Sequence, residues 1–287
     1  MSGNAKGVAL MVAAALFWST SGLFVRALET DHAWQMVFWR SVGMVPMLAA
    51  YLVWRYGRAA PAAVFALGRA GWIAGALLAS TFFFFLYAVS ATTVATALFL
   101  MSTSPLWAAL LGRFVLGEAL AMRTLLAIAA CAVGVAIMVG DALSFGSILG
   151  PLSALCVSLA FAAQITVVRK AGASVDMVPS VLVAGVLSAL LAFPFADVWA
   201  ISARDIGVLM AMGVIQLGLG CMLMTMATRH LRAAQVGLIA LLETTLGPFW
   251  VWLVYAEEPS TATLLGGGII LAALLANELW AAKTARA

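Results

Sequence analysis

The segment at residues 238–258 reads LIALLETTLGPFWVWLVYAEE, and it places one carboxylate, Glu243, within an apolar run. A run of about 20 apolar residues is long enough to cross a lipid bilayer as a helix. An ionisable side chain inside such a helix is costly and is usually retained for a function. The rest of the chain decides whether Glu243 belongs to a working site or only braces neighbouring helices.

Composition places most of this chain in lipid. Hydrophobic residues make up 65% of the 287 residues, charged residues make up 9%, and the mean hydropathy is +1.12. Soluble domains carry about 25% charged residues. A soluble fold of this length has too much surface to hide nearly two thirds of its residues. The composition therefore predicts an integral membrane protein.

Apolar runs of spanning length recur along the whole chain, separated by charged residues, glycine and proline. The break at residues 90–91 contains no charge, and we predict it because about 40 apolar residues cannot form a single span. The sequence predicts an all-α membrane protein with ten transmembrane helices, at residues 7–28, 33–54, 70–89, 92–112, 123–140, 147–168, 177–196, 205–227, 233–256 and 261–281.

Basic residues are distributed unequally between the two sides of these ten helices. Positive charge is retained on the cytoplasmic side of a membrane. The bias predicts a multi-pass protein of the inner membrane with both termini in the cytoplasm. Arg26 and Arg204 fall on the other side and Arg40 falls inside a helix, while the cytoplasmic segments hold Lys6, Arg55, Arg58, Arg69, Arg113, Arg123, Arg169, Lys170, Arg229, Arg232, Lys283 and Arg286.

The second half of the chain repeats the first. A shift of 139 residues places ATALFLMSTSPLWAALLGRFVLGEAL (95–120) over AQVGLIALLETTLGPFWVWLVYAEEP (234–259), so that Ser104 falls on Glu243. We predict one five-helix unit at residues 1–141 and a second at 142–287. Because five is odd, the second unit enters the membrane inverted. Inverted repeats are typical of carriers that rock around a substrate site near the membrane midplane.

The order and spacing of these motifs resemble the drug/metabolite transporter superfamily, EamA type. The resemblance is carried by STSPLWAALLGRFVLGEAL and LLETTLGPFWVWLVYAEEPS, together with ALFWSTSGLFVRAL in the first helix and FWRSVG in the second, and it covers essentially the whole chain. Two positions depart from the family pattern, Phe161-Ala162 where a tryptophan is common and Thr244 where a proline is typical. The resemblance implies export of amino acids, aromatic or apolar ones included, or of related small metabolites.

Two charged residues inside the predicted helices are candidates for contact with substrate. Glu243 lies about 15 Å into its helix, at 1.5 Å per residue, and Pro248 frees a backbone carbonyl in the preceding turn. Glu243 binds a substrate amine or a coupling proton in one interpretation, and braces two helices in the other. Arg40 receives a substrate carboxylate, pairs with Glu243 or a helix end, or extends its guanidinium to the interface.

The remaining candidates are polar or aromatic side chains at similar depth. A polar segment broken by proline at corresponding positions of both repeats is a sequence indicator of a transport site, and we expect such breaks at Pro105 and at Pro248. Packing and interhelical hydrogen bonds are the alternative for the hydroxyls and amides, and the interfacial aromatic belt is the alternative for Tyr87. The candidates are Trp18, Ser19, Ser21, Tyr87, Ser102, Ser104, Gln164, Gln216 and Trp250. We assign Glu257 and Glu258 to helix caps or loop charges.

Several function classes lack their sequence signatures. The chain has no phosphate-binding GxxxxGK[ST] loop, no HExxH and no Cys/His cluster, and Cys131, Cys156 and Cys221 lie singly in apolar runs. We therefore predict a monomeric carrier for a small-molecule substrate in the lipid bilayer, with no enzyme activity, cofactor, metal or nucleic-acid partner. The alternatives are a facilitative pore, a carrier for a drug, nucleotide-sugar or lipid-like metabolite, and a membrane enzyme for which no nucleophile is apparent.

Overall fold

The computed structural model describes residues 3–117, 119–144, 148–171, 178–227, 230–231 and 233–284. These residues form helices joined by short connections, with no strand in the described ranges. The ten helical spans are span 1 (Gly3–Ser19 and Ser21–Arg26), span 2 (Ala33–Tyr56), span 3 (Gly68–Ala91), span 4 (Val94–Met101 and Ser104–Leu116), span 5 (Met122–Ser144), span 6 (Leu149–Ala171), span 7 (Val178–Ala192, with the turn Phe193–Phe195), span 8 (Ala203–Met212, Gly213–Leu219 and Gly220–Ala227), span 9 (Ala233–Tyr255) and span 10 (Thr261–Thr284).

The lengths of these helices confirm the ten predicted spans. Within the described ranges, eight spans are long and apolar enough to cross a membrane, and spans 9 and 10 contain shorter apolar stretches at Ile239–Tyr255 and Thr261–Asn277. The uncharged break was predicted correctly, since span 3 ends at Ala91 and span 4 begins at Val94. The Thr93 side chain caps span 4 by accepting a hydrogen bond from the Thr96 amide at 3.1 Å.

Successive spans alternate in direction, so their ends lie on two faces. The N-terminal face holds the start of span 1, and the opposite face holds its end at Arg26. Spans 2 and 4 end on the N-terminal face at Gly57 and Gly117, whose φ angles are +55° and +71°. Left-handed glycine is a common way to end a helix because no Cβ opposes that conformation. A 3-10 turn, Gly57–Ala59, and a short helix, Ala60–Phe65, follow span 2 on this face.

The contacts between spans have approximate two-fold symmetry. Span 1 packs against spans 8 and 9, and its counterpart, span 6, packs against spans 3 and 4. Span 2 packs against its own counterpart, span 7, and spans 5 and 10 pair in the same way. Exchanging each span with the one five positions away maps these main contacts onto one another. The all-α fold of two inverted five-helix repeats is therefore confirmed.

Small residues bring the paired counterparts close together. Ser41 of span 2 and Ser188 of span 7 share a hydrogen bond of 2.7 Å between their hydroxyls. Where spans 5 and 10 cross, a Cβ built on Gly134 would lie 2.6 Å from the Gly266 carbonyl oxygen, and a Cβ on Gly266 would lie 2.6 Å from the Gly134 carbonyl oxygen. Close helix contacts through small residues are a general feature of membrane helix packing.

Two spans are interrupted where hydroxyl side chains bond to their own helix. In span 1 the Ser19 and Thr20 hydroxyls donate to carbonyl oxygens of the preceding turn, at 2.8 and 2.6 Å. In span 4 the Ser102 and Thr103 hydroxyls do the same, both at 2.7 Å. Such bonds compete with the backbone ladder. The second helix of span 4 begins at Ser104, and Pro105 lies in its first turn, where the missing N–H of proline costs least.

The expected matching break near Pro248 is absent. Span 9 is one continuous helix from Ala233 to Tyr255 and includes Pro248. Pro248 removes a single amide donor and leaves the Thr244 carbonyl without its usual helical partner. In contrast to Ser102 and Thr103 of span 4, no pair of hydroxyls in the described structure bonds back to the helix directly before this proline; the Thr245 hydroxyl donates to the Leu241 carbonyl at 3.3 Å. The prediction of a broken segment in both repeats was therefore wrong for the second repeat.

Candidate functional site

Arg40 is the largest fully buried side chain in the described part of the protein, with 1% of its surface exposed. Its Nη2 donates a hydrogen bond of 3.1 Å to the Phe82 carbonyl on span 3. The guanidinium carbon lies 5.2 Å from the ring centroid of Phe82 and 5.6 Å from that of Phe85. These distances permit cation–π attraction. The side chain therefore points inward from span 2 onto span 3 rather than toward the interface.

The guanidinium of Arg40 has no anionic partner among the described residues. No described carboxylate lies within 4 Å of it, and its Nε has no hydrogen-bond acceptor. An ion pair between Arg40 and Glu243, one of the sequence hypotheses, is not formed. Among the described residues this cation is therefore uncompensated inside the helical bundle, an arrangement that is expensive in lipid.

Glu243 lies halfway along span 9 and is partly buried. Its carboxylate makes no hydrogen bond or ion pair with any described residue. Cys221 of span 8 lies within electrostatic range of both Glu243 and Arg40, and the Trp18 indole donates a hydrogen bond to its sulfur. Spans 1, 2, 8 and 9 therefore bring Trp18, Arg40, Cys221 and Glu243 around a common interior.

The first and ninth spans are also joined at the same depth. The Trp250 indole nitrogen donates to the Ser19 hydroxyl at 3.1 Å. Ser21, two residues further, is fully buried, and its hydroxyl has no partner in the described structure. Trp18 lies against Gly220, where an added Cβ would be 3.1 Å from the indole Cε2 atom. Residues of the predicted first-helix cluster, Trp18 and Ser19 among them, therefore face spans 8 and 9.

Two buried glutamines have unpartnered side-chain oxygens. Gln164 of span 6 is 9% exposed and Gln216 of span 8 is 4% exposed, and neither Oε1 atom accepts a hydrogen bond from a described residue. Gln216 lies in the π-helical stretch Gly213–Leu219. π-Helical turns inside helices frequently occur at functional sites. The alternative prediction was that these side-chain amides form interhelical hydrogen bonds, and the two Oε1 atoms do not form them with described residues.

Span 4 contributes hydroxyls at its interruption. Thr103 shares a hydrogen bond of 2.8 Å with Ser158 of span 6. Ser102 is partly buried and bonds to the Phe99 carbonyl, while Ser104 is partly buried and starts the second helix. Tyr87 stands apart: it is 40% exposed, and no described hydrogen bond or ring contact joins it to the other candidates. The structure therefore does not bring Tyr87 together with Trp18, Arg40 and Glu243.

Sequence reasoning missed several side chains of this region. Cys221, which the sequence placed singly in an apolar run, is buried and interacts electrostatically with both Arg40 and Glu243. Phe82 and Phe85 lie against the guanidinium of Arg40, and neither was among the predicted site residues. Trp39, next to Arg40, has a buried indole nitrogen without a described partner. A lone cysteine and a run of phenylalanines carry no signal at the level of one sequence, since both are common in lipid-facing helices.

The opposite face is held by a network around Arg26 and Glu257. Arg26 Nε donates to Glu257 Oε2 at 2.6 Å, and its two terminal nitrogens donate to the carbonyls of Val89 and Thr92 at 3.2 and 3.1 Å. Glu257 Oε1 accepts a hydrogen bond of 2.8 Å from the Val94 amide. We call this group of five residues the latch. It ties the end of span 1 to spans 3 and 4 and to the connection after span 9, so its role exceeds the cap or loop charge assigned to Glu257.

The sequence profile of the EamA-like transporter family matches residues 5–140 and 148–277. The chain belongs to the EamA-like transporter family. Both matches correspond to five-helix halves, and buried polar groups of this EamA-like chain come from both halves, Ser21 and Arg40 from the first and Gln164 and Gln216 from the second. This protein is therefore a multi-pass membrane transporter.

Relatives of this EamA-like chain include two named exporters. It is 29% identical over 290 residues to the pseudopaline exporter CntI of Pseudomonas aeruginosa (strain UCBPP-PA14), covering 94% of this chain and 95% of that protein. The CntI protein of a second strain, PAO1, is 29% identical over 288 residues with the same coverage. A protein of known crystal structure shares the fold with a TM-score of 0.67 and 19% identity, over 98% of this chain and 99% of that one.

Proposed function

We propose that this EamA-like protein exports amino acids, aromatic or apolar ones included, or related small metabolites, across the inner membrane by alternating access. The observation that carries the proposal is the group of buried polar atoms without partners at Ser21, Arg40, Gln164 and Gln216. A buried unsatisfied polar group costs about 1–3 kcal/mol. A substrate that supplies the missing partners accounts for their presence in helices that otherwise face lipid.

The two-fold packing supports alternating access. Inverted repeats have two equivalent arrangements in which the site faces either side, and the substrate lies near the midplane between the halves. In this proposal the units 1–141 and 142–287 rock against each other in a monomer. The substrate contacts the buried candidates on spans 1, 2, 6, 8 and 9, and it reaches Tyr87 and the hydroxyls of span 4 along its path. The predicted contact residues are Trp18, Ser19, Ser21, Arg40, Tyr87, Ser102, Ser104, Gln164, Gln216, Glu243 and Trp250.

The distribution of basic residues supports an orientation with both termini in the cytoplasm. Arg55, Arg58, Arg69, Arg113 and Arg123 all lie near helix ends on the N-terminal face. Positive charge near the ends of membrane helices favours the cytoplasmic side. The face that carries the latch is then periplasmic, and the protein is closed toward the periplasm when the latch is formed.

Counterflow in proteoliposomes tests the proposal. Purified protein is reconstituted with one unlabelled amino acid inside, and uptake of labelled amino acids and of pseudopaline is measured with and without a pH gradient. Saturable exchange of at least one of these compounds is expected. Non-saturating flux without counterflow would support the facilitative pore, and exchange of an unrelated solute class alone would contradict the proposed substrates.

Glu243→Gln tests the contribution of the carboxylate. A hydrogen bond to a charged group contributes about 1.5–3 kcal/mol, and tenfold corresponds to about 1.4 kcal/mol, so we expect at least a tenfold loss of exchange with little change in thermal stability. Glu258→Gln, on an exposed side chain of the opposite face, is the control and should retain normal exchange. Normal flux of Glu243→Gln in every gradient would leave the carboxylate only a bracing role.

A further inference from the structure

The buried guanidinium of Arg40 lacks a counter-charge in the described structure, and this determines what else the site must contain. Moving a charged side chain out of water costs several kcal/mol even after relaxation, and charged residues in membrane helices normally pair with one another. Arg40 has one described hydrogen bond, to the Phe82 carbonyl, and two aromatic faces. A neutral carbonyl and two rings offset part of this cost but supply no negative charge.

The unpartnered part of the side chain has a defined geometry. Nε is buried and free of acceptors, and it belongs to an edge of the planar guanidinium that takes both oxygens of a carboxylate in parallel hydrogen bonds. The backbone of Arg40 is fixed as well, because Gly213 of span 8 lies directly against its carbonyl. The Arg40 backbone is therefore packed tightly against span 8, and Nε is buried without an acceptor in the described structure.

The surroundings of this edge favour an additional positive or hydrogen-donating group on the same ligand. Gln216, on the π-helical stretch that begins at Gly213, has an unpartnered oxygen. Glu243 of span 9 and Arg40 of span 2 both interact electrostatically with Cys221 of span 8. One cationic donor and two acceptors around one interior are complementary to a ligand that carries both a carboxylate and an amine.

We propose that Arg40 binds the carboxylate of the transported substrate, and that the substrate class consists of compounds in which a carboxylate and an amino group lie close together. This inference rests on the proposed function and specifies the chemistry of the same site. The guanidinium is then compensated whenever substrate is bound. Compounds whose carboxylate is converted to an amide leave it uncompensated and bind weakly.

Pairs of substrates and variants test this assignment. Exchange of phenylalanine and of phenylalaninamide is measured in proteoliposomes for the wild type, Arg40→Gln and Arg40→Lys. In the wild type we expect phenylalanine to be preferred by about tenfold to hundredfold, the range of a hydrogen bond to a charged group. In Arg40→Gln the preference should fall to about threefold or less. Arg40→Lys, which retains the charge but not the fork, should lie between them.

Controls separate substrate contact from a structural role. Arg204→Gln removes an exposed arginine on the opposite face and should leave the preference unchanged. Thermal stability in detergent is measured for each variant with and without phenylalanine, and the stabilisation by phenylalanine should disappear in Arg40→Gln. If Arg40→Gln fails to fold, Arg40→Lys decides the question, since an undiminished carboxylate preference in that variant overturns the assignment.

The outcomes also distinguish this inference from the proposed function. Exchange of phenylalanine with an equal preference in the wild type and in both variants overturns the role of Arg40 and leaves amino-acid export standing. Equal loss of phenylalanine and phenylalaninamide exchange in Arg40→Gln shows a brace and also overturns it. If the wild type exchanges neither these compounds nor any other amino acid, the proposed substrates fall, and the carboxylate assignment falls with them.

Discussion

Glu257→Gln should loosen the closure of the opposite face. The glutamine amide can keep one acceptor for the Val94 amide, but its NH2 group then faces the Arg26 Nε–H, so that two donors oppose each other where a 2.6 Å charged hydrogen bond exists now. The two side chains are 26% and 20% exposed, and each is therefore only partly screened by solvent. The substitution removes one strong hydrogen bond while leaving the helices that carry it unchanged.

The size of the effect follows from the kind of hydrogen bond that the substitution removes. Hydrogen bonds to charged groups contribute about 1.5–3 kcal/mol, and partial exposure places this one in the lower half of that range. A decrease of about 1.5–2 kcal/mol corresponds to a shift of about 10- to 30-fold in the equilibrium between closed and open arrangements of this face. The full shift in this equilibrium is expected when the Arg26–Glu257 hydrogen bond forms only in the closed arrangement of this face.

Accessibility of a reporter cysteine measures this equilibrium. Ala95, next to the latch on span 4, is 2% exposed with the latch formed. In a background without other cysteines, Ala95→Cys is labelled with a membrane-impermeant maleimide applied to the opposite face, and the rate should rise about 10- to 30-fold when Glu257→Gln is added. Glu258→Gln is the matched control. An unchanged labelling rate in a folded Glu257→Gln protein would refute a gating role for the latch.

Three further substitutions test the packing and the backbone conformation. Gly213→Ala places a Cβ 2.9 Å from the Arg40 carbonyl carbon. Because backbone cannot move aside, this variant should lower the free energy of unfolding by about 1–3 kcal/mol. In the control, Gly207→Ala, the new Cβ meets nothing within 4 Å, so the effect should be neutral or stabilising by up to about 1 kcal/mol. Ala256 has a φ of +50°, so Ala256→Gly should raise stability by about 0.5 kcal/mol. Thermal unfolding in detergent measures the melting temperature of all three variants. Equal melting temperatures for the two alanine variants, or a melting temperature of Ala256→Gly below that of the wild type, would contradict this reasoning.

The span count was predictable from sequence because the bilayer imposes it. A helix must cover the hydrocarbon thickness with apolar residues, so length alone required the break that the structure places between Ala91 and Val94. The inverted repeat was predictable for a related reason, since an odd number of spans reverses the second copy. These features depend on local composition and on counting, and neither needs knowledge of which helices touch.

Contacts between distant spans could not be predicted in this way. Arg26 and Glu257 are 231 residues apart and meet only because spans 1 and 9 pack side by side. Cys221 gained its position beside Arg40 and Glu243 from the register of span 8, which includes a π-helical stretch that no residue pattern indicated. Pro248 was expected to break its helix, but span 9 continues through it, whereas span 4 is interrupted at Ser102 and Thr103, just before Pro105.

Two spans, the first and the ninth, carry both candidate substrate-contact residues and latch residues or lead directly to them. Span 9 carries Glu243 and Trp250 and leads through Ala256 directly to Glu257, while span 1 carries Trp18 and Ser19 before its interruption and Arg26 after it. Because span 9 is continuous, a displacement at Glu243 is transmitted to Glu257 over about 20 Å at 1.5 Å per residue. Span 1 is interrupted at Thr20, so its outer segment is able to pivot while its inner segment keeps Trp18 against span 8. We therefore expect a ligand that binds Arg40 and Glu243 as proposed to act on the latch through one continuous helix and one interrupted helix.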